Sequence, residues 1–185
     1  FGRLYDINGI PLTDREADLN PAITENDNYN PSIITTQSEI ITLWATRETG
    51  DQTSTSLEAL RYDYEGYMIG KTELLKEETQ FFYQYPHITK LTETEYILLW
   101  GQVSTGIFLQ KLILVNNSLQ VTGNPVTVTT ESPVQKSLKV AALRDNGFVV
   151  TWSQRSGQGV RLFGRHYNDN CQPLTDLFQI DSYSD

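Results

Sequence analysis

The sequence predicts an all-β protein made of tandem four-stranded antiparallel blades, propeller-like in arrangement, with a β-sandwich array as the alternative. Three observations lead there. An apolar run ending in tryptophan occurs three times, as EIITLWATR at 39–47, EYILLWGQV at 95–103 and GFVVTWSQR at 147–155. The opening segment FGRLYDINGIPLTD at 1–14 returns as FGRHYNDNCQPLTD at 163–176, identical at nine of fourteen positions. Between these copies, short β-rich runs alternate with turns made of Asn, Asp and Gly. Self-similarity at a period of about fifty residues marks propellers, solenoids and arrays, and four short strands per period is the pattern of a propeller blade.

The spacing is regular enough to divide the chain. Trp44, Trp100 and Trp152 lie 56 and 52 residues apart, and the terminal match has an offset of 162, about three periods. Residues 1–24 read as the C-terminal half of a repeat, followed by full repeats at 25–78, 79–131 and 132–185 in one continuous domain. A weaker copy of the opening segment, LRYDYEGYMIG at 60–70, sets Tyr62, Asp63 and Gly66 where the first copy has Tyr5, Asp6 and Gly9.

Each repeat begins with a short strand A: PSIITT at 31–36, PHITKL at 86–91 or LKVAAL at 138–143. A polar turn such as Glu93-Thr94-Glu95 or Arg144-Asp145-Asn146-Gly147 leads into strand B. Strand B carries the tryptophan in a nearly unbroken apolar run, which predicts a strand covered on both faces. The B–C loop is long in the first full repeat, from Thr46 to Ser56, and short in the second, from Val103 to Gly106. Strand C, clearest in GVRLFGRHY at 159–167, reaches strand D through a tight turn; PVTVTT at 125–130 and LFQID at 177–181 are examples of strand D. Because the chain begins in strand C and ends after strand D, the reading expects a piece of a longer repeating protein, or one completed by another chain.

Charge narrows the partners. With 23 acidic and 14 basic residues, a formal net charge of −9 disfavours nucleic acid and anionic membranes. No apolar run reaches the eighteen residues of a membrane span, so no membrane insertion is expected. Cys171 is the single cysteine, which leaves no internal disulfide.

Candidate chemistry is sparse. Asp6 and Asn8, and again Asn168 and Asn170, place oxygen-bearing side chains at alternate positions as calcium loops do, and Asn26-Asp27-Asn28-Tyr29-Asn30 has the same character. These residue types are also what a tight turn requires, so a structural turn and a calcium site both stand for Asp6, Asn8, Asn168 and Asn170. No cofactor is expected beyond that calcium. Trp44, Trp100 and Trp152 read as structural core, since they repeat at one position inside an apolar run. The run Phe81-Phe82-Tyr83-Gln84-Tyr85 reads as an inter-blade contact, and Arg3 and Arg165 as partners of a neighbouring blade's carboxylate. His87 and His166 have no second histidine at ligand spacing. Asn116-Asn117-Ser118 is an N-glycosylation sequon. No nucleophile elbow, phosphate loop or zinc-binding helix motif occurs, and Trp152 follows Gly147 by five residues, against three in the sialidase Asp-box.

The series Asn146-Gly147-Phe148-Val149-Val150-Thr151-Trp152-Ser153, then Phe163-Gly164-Arg165, Tyr167-Asn168 and Phe178-Gln179-Ile180, resembles a repeat of roughly fifty residues found in large secreted and surface proteins of bacteria and ciliates. The resemblance implies an extracellular or cell-surface location, an adhesin-like array and no enzymatic activity. On that basis the expected function is a non-enzymatic structural or adhesive repeat, a scaffold for contacts with other repeats, copies of the same protein or neighbouring chains. The alternative is a carbohydrate-binding, lectin-like module that takes glycans, with calcium dependence left open. A third reading, a hydrolase, requires carboxylates or arginines from several blades to converge on one channel.

Overall fold

The computed structural model describes residues 3, 5, 6, 8–11, 27–47, 55–77, 82–102, 104–130, 138–145, 147–156 and 159–181. Among the described residues, twelve strands form three four-stranded antiparallel sheets. The first holds β1 (Asp27–Thr35), β2 (Ile40–Arg47), β3 (Thr55–Tyr62) and β4 (Met68–Glu77), each paired with the next. The second holds β5 (Tyr83–Lys90), β6 (Glu95–Gln102), β7 (Gly106–Val115) and β8 (Ser118–Thr129) in the same order. The third repeats it with β9 (Lys139–Ala142), β10 (Phe148–Ser156), β11 (Gly159–Tyr167) and β12 (Phe178–Gln179). These are propeller-like blades, as the repeat predicts.

Side chains alternate across a strand, and here the alternation divides each central strand between two neighbours. Ile41, Leu43 and Ala45 of β2 face the second sheet, where they meet Tyr96, Leu98 and Trp100 of β6. The intervening residues of β6, Ile97 and Leu99, face the third sheet and meet Phe148, Val150 and Trp152 of β10. A strand sealed on both faces favours apolar residues at nearly every position, which is why β6 carries the unbroken run Ile97-Leu98-Leu99-Trp100 and the run from Ile40 to Ala45 of β2 is interrupted only by the small, buried Thr42. Each fully buried aliphatic side chain contributes about 1.5–3 kcal/mol. Trp44, Trp100 and Trp152 are 5, 3 and 0 % exposed. Trp44 lies on the face of the first sheet turned away from the second, with Ile40, Leu60 and Tyr62.

The corresponding outward face of the third sheet is different. Val160, Leu162, Phe178 and Ile180 are 41–49 % exposed, whereas Leu57 and Leu74 on the same face of the first sheet and Ile107 and Val128 on that of the second are buried. Gly164 lies beneath the Phe178 ring, which would stand 2.8 Å from an added Cβ, so that cross-strand position admits only glycine without a shift.

A buried ionic network ties the first two sheets. Glu39 and Arg61 are 2 and 4 % exposed. The Arg61 guanidinium donates from Nε to Glu39 Oε2 at 2.7 Å and from Nη2 to the same oxygen. Its Nη1 donates across the sheet boundary to the Asn117 backbone carbonyl at 2.6 Å and to Asn117 Oδ1 at 3.1 Å. The Tyr96 hydroxyl donates to the other Glu39 oxygen at 3.2 Å. Burial, with the Glu39 carboxylate beside it, pushes the Tyr96 pKa up to about 12. Asn116 and Asn117 form the β7–β8 turn with φ of 48° and 63°, the paired positive values of a type I′ hairpin. That turn is what carries Asn117 to Arg61.

Candidate functional site

The strands that approach one another along the inner side of the sheets are β1, β5 and β9. Two of them carry the same irregularity. In β1 the register slips between Tyr29 and Ser32, so that Asn30-Pro31 bulges opposite Trp44. In β5 it slips between Gln84 and His87, so that Tyr85-Pro86 bulges opposite Trp100. Proline cannot donate to a sheet ladder, and an edge strand is where a sheet tolerates it. Asn30 and Tyr85 both take left-handed φ, 55° and 49°. Asparagine adopts that conformation readily, whereas tyrosine before proline does so at a cost of roughly 1–3 kcal/mol, and such strain gathers at functional sites.

Bulges re-aim side chains, and here both face one groove of about 390 Å³. Asn30 and Ser32 from β1, Tyr85 and His87 from β5, and Leu138 and Lys139 at β9 form its walls. His87 is half-buried and its Nδ1 has no hydrogen-bond partner in the structure. Burial, reinforced by the Lys139 ammonium, lowers its pKa to about 4, so the imidazole is neutral at pH 7. A second depression on the same side is bounded by Asp27, Asn28, Tyr29 and Arg47. There Arg47 Nη2 donates to Asp27 Oδ2 at 2.7 Å, and the Thr46 hydroxyl donates to Asn28 Oδ1 at 2.9 Å. Asp27 is the one carboxylate on the three inner strands.

The residues singled out from the sequence fall elsewhere. Asp6 Oδ1 accepts the backbone N–H groups of Asn8 at 2.9 Å and Ile10 at 2.8 Å. Asn168 Oδ1 accepts those of Asn170 at 3.0 Å and Gln172 at 2.8 Å. Asp63 Oδ1 likewise accepts from Tyr67 N–H at 2.8 Å. Asp6 with Asn8, and Asn168 with Asn170, therefore stand in separate side-chain-capped turns, each closed by a residue of positive φ: Gly9, Gly66 or Cys171. The Ile10 N–H holds the Asp6 carboxyl below the ordinary carboxylate range. Among the described residues no group of three or more His, Cys, Asp or Glu could hold a metal ion. Of the asparagine-rich segment at 26–30, Asp27 to Tyr29 pair with Arg47 to Ala45 in β1 and form no turn, and Asn30 stands in the bulge that follows; Asn26 lies outside the described residues. Arg165 does reach the neighbouring sheet, but its partner there is the Val128 carbonyl, at 3.4 Å, and Arg3 lies over the Tyr5 ring. Tyr83 is buried edge-on against Trp100, while Tyr85 faces the groove; Phe81 lies outside the described residues.

Sequence reasoning missed the groove. A signal for it existed: Asn30-Pro31-Ser32-Ile33 and Tyr85-Pro86-His87-Ile88 repeat an X-Pro-x-Ile pattern 55 residues apart, close to the 56 residues between Trp44 and Trp100.

No known family model and no curated protein matches the chain. Solved structures do. A thermostable family-43 glycoside hydrolase superposes with a TM-score of 0.54 at 7 % identity, over 90 % of this chain and 56 % of that one. The fold resembles that of the family 43 glycoside hydrolases. BlXynB of that family, from Bacillus licheniformis, gives a TM-score of 0.52 at 12 % identity over 82 % of this chain and 30 % of its own. CoXyl43, a β-xylosidase/α-arabinofuranosidase from a compost metagenome solved with xylotriose, gives 0.51 at 9 % identity over 90 % of this chain and 62 % of its own. The chain thus spans between 30 and 62 % of these glycoside hydrolases, whose fold is a five-bladed propeller.

Two expectations are corrected by this likeness. The non-enzymatic structural or adhesive repeat gives way, since solved structures with a similar arrangement of blades include glycoside hydrolases. The expected absence of enzymatic activity falls with it. The physical reason is that a propeller assembles its site from the inner strands of separate blades. No short sequence motif records such an assembly, so missing motifs do not exclude a glycosidase-type fold.

Proposed function

We propose that this chain is the sugar-binding part of a carbohydrate-active propeller, with a glycan lying in the groove between β1, β5 and β9. The observation that carries the reading is the pair of proline bulges, strained at Tyr85, which bring Asn30, Ser32, Tyr85 and His87 to one groove. Carbohydrate sites combine an aromatic face for the sugar ring with a few placed hydrogen-bonding groups, and Tyr85 with Asn30, Ser32 and neutral His87 is such a set. Support also comes from the likeness to glycoside hydrolases, one of them solved with xylotriose. The extracellular location expected from the sequence suits a polysaccharide ligand.

Hydrolysis of a glycosidic bond uses two flanking carboxylates. The inner strands supply one, Asp27, held by Arg47 in the second depression. Binding is what the groove residues themselves can perform. Electrophoresis through gels containing xylan, arabinan or pectin tests it: the chain is retarded by at least one, and the combined Asn30→Ala, Ser32→Ala variant less so. Migration unaffected by every polysaccharide would sink the reading.

A further inference from the structure

Three described lysines hold carboxylates at close range: Lys71 with Glu58 at 3.1 Å, Lys90 with Glu93 at 2.8 Å and Lys111 with Glu95 at 3.0 Å. Lys139 has no carboxylate partner among the described residues. It stands at the wall of the groove, and none of the described residues lining that groove is acidic. Asp27, the carboxylate that the inner strands do carry, is engaged by Arg47. In a chain of net charge −9, a groove without carboxylates that carries an ammonium reverses the sign of the local field. The rest of the described wall is uncharged at neutral pH, so among these residues the groove presents one unmatched positive charge beside an amide, a hydroxyl and an aromatic ring. Binding sites that orient a ligand with a few polar groups take their specificity from such a charge.

We propose that this groove selects glycans bearing a carboxylate: a uronic-acid unit whose carboxylate meets the Lys139 ammonium while its hydroxyls meet Asn30 and Ser32. The proposal rests on the glycan reading above and adds the ligand class. It does not require hydrolysis.

Calorimetric titration of the whole chain with tetragalacturonic acid and with xylotetraose, at low and at raised ionic strength, tests it. The expected result is binding of the uronide about tenfold tighter than that of the neutral sugar, an advantage that shrinks with salt. Lys139→Gln removes the advantage. Lys71→Gln, which changes net charge equally on the outer strand β4, keeps it. Equal affinity for the two probes, or a uronide preference that survives Lys139→Gln, overturns the inference and leaves glycan binding in place. Binding of neither probe overturns the inference, and if xylan, arabinan and pectin also fail to retard the chain the glycan reading falls with it.

Discussion

Glu39 and Arg61 are both nearly sealed from water and are paired with each other. Removing one partner leaves a buried, uncompensated ion, which typically costs 3–5 kcal/mol, whereas replacing both with apolar groups of similar volume is often neutral. Arg61→Leu is therefore expected to lower stability by about 3–5 kcal/mol and Glu39→Leu by a similar amount. The double variant should recover most of that loss in urea unfolding. Additive losses would mean that the two residues act separately. His87 gives a second expectation at this scale. Its native pKa of about 4 lies below the value of 6.5 for the unfolded chain, so below pH 6.5 the unfolded state takes up a proton that the native state resists. Stability is thus complete above pH 6.5 and falls as pH drops toward 4. The change is roughly 1–2 kcal/mol once solvent screening of a half-exposed ring is allowed for. Unfolding midpoints at pH 4.5 and 7 should differ less in His87→Gln than in the parent.

At the scale of the strand, the proline bulges separate shape from stability. Asn30 sits at φ 55°, which glycine adopts freely and a β-branched residue does not. Asn30→Gly should stay within about 0.5 kcal/mol of the parent, since relief of φ offsets the entropy of a freer unfolded chain, while Asn30→Val should cost about 2 kcal/mol. Both should weaken polysaccharide retardation, Asn30→Gly without a matching loss of stability; full retention by Asn30→Gly would take the amide out of the site. The contrast between strand types also explains what was legible. β2 and β6 could be read directly because sealing both faces favours a nearly continuous apolar run around Trp44 and Trp100. The capped turns at Asp6, Asp63 and Asn168 were legible as turns because their residue types state their backbone geometry. β1 was read late, at Pro31 instead of Asp27, because an inner strand half open to a groove carries polar residues that imitate a loop. The site was not legible because its walls come from residues some fifty positions apart, and nothing local links Asn30 to His87 or Lys139.

Across the whole molecule, sheets stack through one repeated interface, and the third sheet shows what that interface looks like uncovered. Val160, Leu162, Phe178 and Ile180 form an apolar row that water reaches, the kind of patch that promotes self-association. Leu162→Lys together with Phe178→Ser should raise the concentration at which light scattering appears and move the unfolding midpoint by less than about 1 kcal/mol, as exposed substitutions do. A large loss of stability would mean that the row is already a buried part of the core.

The stacking interface also has a consequence in time. Each sheet pairs its strands locally, in chain order, and then lays its tryptophan face on the apolar face of the sheet made before it. On a ribosome the earlier sheet emerges first and offers a finished template for the next, so the order of synthesis and the order of burial coincide. The chain can grow by accretion, each sheet quenching the sticky surface left by the last.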